Sequence, residues 1–115
     1  MTIVNQILSS EIGGEYRGKR KTFTTRLFLE IQDAIYKARK IRQHIETFNE
    51  MSWDEDPVYE IWVVAGQIAF PVKVKAASLQ AALNVCKSCL EDGCFVEKGY
   101  KIEEGSSGLD KKPQI

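Results

Sequence analysis

A chain of 115 residues, 43% hydrophobic and 28% charged, is long enough to bury a core of its own and too apolar to stay unfolded. Its longest apolar run, Ile61-Trp62-Val63-Val64-Ala65, is far too short to span a membrane, and Met1–Gln6 has neither the basic start nor the apolar centre of a secretory signal. Three cysteines, an odd count, argue against a disulfide framework, so the expectation is a cytoplasmic domain with no membrane contact.

The balance of sixteen Lys/Arg against sixteen Asp/Glu conceals a split. Met1 to Arg42 holds nine cations and four anions, a surplus of five positive charges; Gln43 to Ile115 holds seven and twelve, the same surplus with opposite sign. Such a division creates local fields that net charge does not report, and it suits a surface that meets a charged partner.

Thr2–Leu8 reads as a strand, and Glu11-Ile12-Gly13-Gly14 as a turn or bulge. From Lys21 onward Phe23, Thr25, Leu27 and Leu29 alternate with Thr22, Thr24, Arg26 and Phe28, the pattern of a half-buried strand. A helix follows, because Ile31, Ala34, Ile35, Ala38, Ile41, Ile45 and Phe48 recur at three- and four-residue steps. Arg42 borders that stripe, where it either snorkels to the edge or pairs with Glu46 one turn on. Asn49–Pro57 is an acidic connector, and its Ser52-Trp53-Asp54-Glu55 fits a capping box with room for one turn.

Val58–Ala65 is apolar on both faces, as a central strand should be, and Gly66-Gln67 is a hairpin turn. The return strand points Ile68, Phe70, Val72 and Val74 inward; Pro71 and the lysines at 73 and 75 mark it as a marginal strand. A second helix runs from the N-cap Ser78 to Gly93, with Leu79, Ala82, Leu83, Cys86 and Leu90 on a stripe widened by Val85 and Cys89. Cys94–Glu97 and Tyr100–Glu103 flank Lys98-Gly99 as a last small hairpin, and residues 105–115 read as a flexible tail. An offset of 47 residues aligns Phe23 with Phe70, Arg26 with Lys73 and Ala34 with Ala81, a weak hint of internal duplication. The expected architecture is α+β: a single domain over residues 1–104, with a small antiparallel sheet and two helices on one face, in the order β-β-α-β-β-α-β.

Candidate chemistry is sparse. Cys86-Lys87-Ser88-Cys89 with Cys94 has zinc-ligand spacing, but both thiols of the pair fall on the apolar face of a helix and not at its positive N-terminus, so they read as buried packing residues. His44 is the only histidine, and nothing in its vicinity marks a triad. Asp54-Glu55-Asp56 with Glu60 matches no calcium-loop spacing, and Gly13-Gly14 and Gly18 match no phosphate-binding fingerprint. No catalysis, metal or cofactor is therefore expected. Partner contact is assigned to Arg17, Lys19, Arg20 and Lys21, to Arg26, and to Trp53 as an aromatic anchor. The function expected is a small non-catalytic binding or regulatory protein that holds a protein partner, a second copy of itself included. The alternative is nucleic-acid association through Arg17–Lys21, which the overall neutrality disfavours.

Overall fold

The computed structural model describes residues 2–19, 22 and 24–102. Arg20, Lys21, Phe23 and the tail expected at 105–115 lie outside the described residues. The described residues form an α+β fold with three helices, not the two expected, and a four-stranded antiparallel sheet.

The first segment is helix α1 (Thr2–Ile12), not a strand. Val4, Leu8 and Ile12 are buried and four residues apart. A strand would have turned Gln6 and Ser10 to the same side as these three; the helical period separates them, and that outweighs the β-branched start. Gly13 ends the helix with a φ of +67°, and the N–H groups of Gly13 and Gly14 close on the carbonyls of Ser9 and Leu8. Strand β1 (Glu15–Tyr16) follows.

The strand expected from Lys21 to Leu29 is replaced by helix over its described part, residues 25–29. Thr24 is an N-cap whose side chain accepts from the Leu27 N–H at 3.1 Å, and helix α2 (Thr25–Glu50) begins there. Leu27 extends the stripe of Ile31, Ala34, Ile35, Ala38, Ile41 and Ile45 one turn upstream, all of it buried. The duplication fails with this strand, since Arg26 and Leu27 are helical whereas Lys73 and Val74 are extended. α2 takes in Asn49 and Glu50, the first residues of the expected connector, and residues 51–57 form turns without the expected helical turn.

Strands β2 (Val58–Ala65) and β3 (Ile68–Lys75) form the expected hairpin, with Gly66 at a φ of +65° supplying the tight turn. Helix α3 (Leu79–Ser88) starts as expected, Ser78 accepting from the Ala81 N–H at 3.1 Å, but ends before Gly93. A turn through Gly93, at a φ of +83°, leads into strand β4. In place of a final hairpin, β4 (Cys94–Lys101) is one strand paired along β2. Gly99 is no turn residue. It lies under α3, where an added Cβ would meet Leu79, Leu83 and Ile61 at 3.2 to 3.4 Å, so glycine lets the helix approach the sheet.

The strand order is β1-β3-β2-β4. Tyr59, Ile61, Val63 and Ala65 of β2 and Ile68, Phe70, Val72 and Val74 of β3 face the helices and form the core. The expectation that β3 is marginal is met only along part of its length, because β1 pairs with Ile68 and Ala69 alone. Beyond them α2 stands in for a strand. Arg42 Nη2 donates to the Pro71 carbonyl at 2.5 Å, and Asn49 donates to the Lys73 carbonyl at 3.0 Å while accepting from the Lys75 N–H at 2.9 Å. Ser52 donates to the Lys75 carbonyl at 2.8 Å. Side chains thus occupy edge groups that would otherwise invite another strand.

Candidate partner-binding face of the sheet

The alternation that sends one row of β2 and β3 into the core sends the other to the opposite side of the sheet. There the register sets Glu15, Ala69, Val64 and Phe95 in one row across the strands, Pro71, Trp62 and Lys98 in the next, and Lys73, Glu60 and Tyr100 in a third. Helices α2 and α3 pack on the other side, against the inward row. Phe95 is 56% exposed and Tyr100 45% exposed, both large aromatic surfaces left in water.

Between Val63 and Trp62 the pairing with β4 slips, and Glu97 is the extra residue between the partners Val96 and Lys98. The bulge bends the outer strand and brings Glu97 and Lys98 toward Trp62. Arg17, just past β1 on the far edge, meets Glu97 with both terminal nitrogens, one at 3.1 Å, and its Nε donates to Glu15 at 2.6 Å. The two edge strands stand about 14 Å apart at the usual strand spacing, so Arg17 and Glu97 bridge the open face between them. Val64 and Ala69, on this side by register, are nevertheless buried. The Arg17 guanidinium lies 5.9 Å from the Trp62 ring centroid and the Lys98 ammonium 5.8 Å from it, two cations against one indole. The Trp62 N–H donates to Glu60 at 3.1 Å, and the Tyr100 hydroxyl donates to the same carboxylate. The fork with Glu97, and then Glu15, raises the Arg17 pKa, while Arg17 holds the Glu97 carboxyl below its ordinary value.

Of the residues assigned to partner contact, only Arg17 belongs to this face. Lys19 is exposed, Arg26 is exposed in the first turn of α2, and Trp53 is 76% exposed in the connector; Arg20 and Lys21 lie outside the described residues. Three of the other described front-half cations are held apart by partners of their own. Lys37 pairs with Asp33 at 3.0 Å, Arg39 pairs with Glu11, and Arg42 bonds to backbone carbonyls without pairing with Glu46. Sequence reasoning missed Trp62, Phe95, Tyr100, Glu60, Glu97 and Lys98. The outward alternation of β2 was a usable signal for Trp62 and Glu60, but the reading of β4 as a hairpin concealed the rest.

The cysteines match their expected character in environment. Cys86 and Cys89 are buried, and burial, helped by Cys89, pushes the Cys86 thiol up to about 12. Burial also raises the thiols of Cys89 and Cys94. Among the described residues no group of three or more His, Cys, Asp or Glu side chains is placed to hold a metal, and no helix is long and apolar enough to cross a membrane. Comparison with protein-family models, curated proteins and solved structures returned no match.

Proposed function

We propose that the chain is a non-catalytic binding protein that holds a protein partner on the open face of its sheet, and that the partner is a second copy of itself. The observation that carries this is the composition of the face. Phe95, Tyr100 and Trp62 supply apolar area, while Arg17, Lys73, Lys75 and Lys98 are interleaved with Glu15, Glu60 and Glu97. Mixed charge around aromatic anchors suits a protein surface of the same mixed character, and a two-fold axis can set each charge against its opposite on the partner. The sheet edges favour the face over strand addition, because α2 side chains occupy that of β3 and a bulge with flanking charges interrupts that of β4. Light scattering at tens of micromolar should give a dimer mass, and the double variant Phe95→Ser/Tyr100→Ser should give a monomer with unchanged circular dichroism. A wild-type monomer at low salt would refute self-association.

A second reading draws on the same aromatics. Trp62 and Tyr100 beside Arg17 and Lys98 could stack unpaired bases of a single-stranded nucleic acid. It ranks behind because Arg17 is engaged by two carboxylates, Glu15 and Glu97. Quenching of Trp62 fluorescence by oligonucleotides, weakening linearly with log salt, would promote it.

A further inference from the structure

Where the end of α1, the middle of α2 and the outer edge of β3 meet, there is a groove of about 500 Å³, within the size range of small-molecule sites. Ile12, Ile45, Val72 and Pro71 give it apolar walls. Arg42 is half-buried among them, its guanidinium 5.9 Å from the Phe70 ring centroid. It donates through Nη2 alone, to the carbonyls of Ile12 and Pro71, both at 2.5 Å.

Those two bonds explain why the side chain is anchored, since they cap the end of α1 and the edge of β3. They leave Nε and Nη1 without a hydrogen bond to any described residue. They also leave the charge without a counter-ion, because no described carboxylate is within ion-pair range of Arg42. Glu11, on the rim, is taken by Arg39, and Glu46 forms no pair with it. Neutral carbonyls satisfy donors but do not neutralise a charge, and burial accordingly depresses the Arg42 pKa. A partly desolvated guanidinium with no described counter-ion and an unused Nη1 beside an apolar groove is complementary to a carboxylate with an apolar body.

We propose that this groove binds a small apolar monocarboxylate, one of whose oxygens accepts from Nη1 of Arg42 while its body lies along Pro71 and the edges of Ile12, Ile45 and Val72. Glu11 and Glu46 on the rim offset Arg42 and Lys73, which leaves no positive surplus for a dianion, and the apolar walls offer a phosphate's remaining oxygens little. The groove shares Pro71 and Lys73 with the open face of the sheet, but its charged contact, Arg42, lies on α2 and needs no partner on that face.

The test is NMR titration of the full chain, following the Ile12, Ile45 and Val72 methyls and the Arg42 Nε–H. The probes are hexanoate for a free acid and N-acetyl-leucine for a peptide end, with hexanol and inorganic phosphate as controls. Saturable shifts are expected with a carboxylate at millimolar concentration and much weaker ones with both controls. Tighter binding of N-acetyl-leucine would identify a peptide end as the source, and tighter binding of hexanoate a free acid. Glu46→Gln, an exposed change, should tighten carboxylate binding roughly two- to fivefold by removing a like charge. Arg42→Lys should weaken it about tenfold, because one ammonium cannot hold the two backbone carbonyls and still present a donor where Nη1 lies. Should Arg42→Lys fail to fold, Glu46→Gln still decides the matter. No saturable shift with either carboxylate up to about 20 mM, where even weak sites fill, would overturn the proposal. Equal binding of hexanol, or no effect of Glu46→Gln, would overturn it as well.

Discussion

Each front-half cation with an ion pair or hydrogen bond takes its own local partner. Arg17 reaches across the sheet to Glu97, Lys37 turns to Asp33, Arg39 to Glu11, Lys40 to the Tyr36 hydroxyl, and Arg42 to carbonyls. A surplus of five positive charges along the chain therefore makes no single positive patch among the described residues. The Arg17–Glu97 pair has a definite pH signature. Its carboxylate is held below the ordinary 4.5, so its contribution to stability is complete above that pH and is lost as pH falls through the folded-state value. Carbon-13 titration of Glu97 should give a midpoint below 4.5 in the wild type and one close to 4.5 in Arg17→Gln. An unchanged midpoint would mean that the fork does not persist in solution. Cys86, with a thiol near 12, should resist alkylation at neutral pH until the protein opens, and half-buried Cys94 should label first. Cys86→Ala should cost about 1 kcal/mol in denaturant melts through lost packing, with no response to chelators.

The helices and strands owe their ends to a few polar residues. Thr24 and Ser78 accept from the N–H three residues on, and Thr24→Ala or Ser78→Ala should each cost about 1 kcal/mol in thermal or denaturant unfolding. Asn49 acts at longer range, holding both the Lys73 carbonyl and the Lys75 N–H at the edge of β3. Asn49→Ala should cost about 1–2 kcal/mol and speed hydrogen exchange at Lys75, because that amide loses its partner. It should also raise turbidity on concentration, since bare edge groups template strand addition. Normal exchange at Lys75 in the variant would show that α2 does not protect the edge.

In the molecule taken together, the apolar stripe of α3 is spent mostly on the core. Ala82, Cys86 and Cys89 are buried, and Leu83, Val85 and Leu90 pack against the core beside them. The long α2, about 39 Å from end to end, and α3 occupy one side of the sheet, and the proposed dimer takes its apolar contact from Phe95, Tyr100 and half-buried Trp62 on the other. The dimer mass should fall with Phe95→Ser/Tyr100→Ser and persist in moderate salt, because buried apolar area supplies affinity while charge governs orientation and rate. A dimer that dissociates fully between 50 and 300 mM salt would place the contact on charges elsewhere.

The α+β class, the β2–β3 hairpin with its inward row, the body of α2 and the start of α3 were legible because each follows from local periodicity or from one capping or turn residue. Where propensity and periodicity disagreed, as at Thr2–Leu8 and Thr24–Leu29, the β-branched residues misled. The burial that decides for helix there comes from α1 packing on α2, a contact distant in sequence. Gly99 reads as a turn in isolation and is a spacer under α3 in the fold. The candidate face was less visible still. Its rows join residues from β1, β2, β3 and β4, and the fork between Arg17 and Glu97, eighty positions apart, exists only because strand order and a bulge bring them together. Periodicity reports which side of its own element a residue occupies; which residues share a surface depends on how the elements pair, and no single segment carries that.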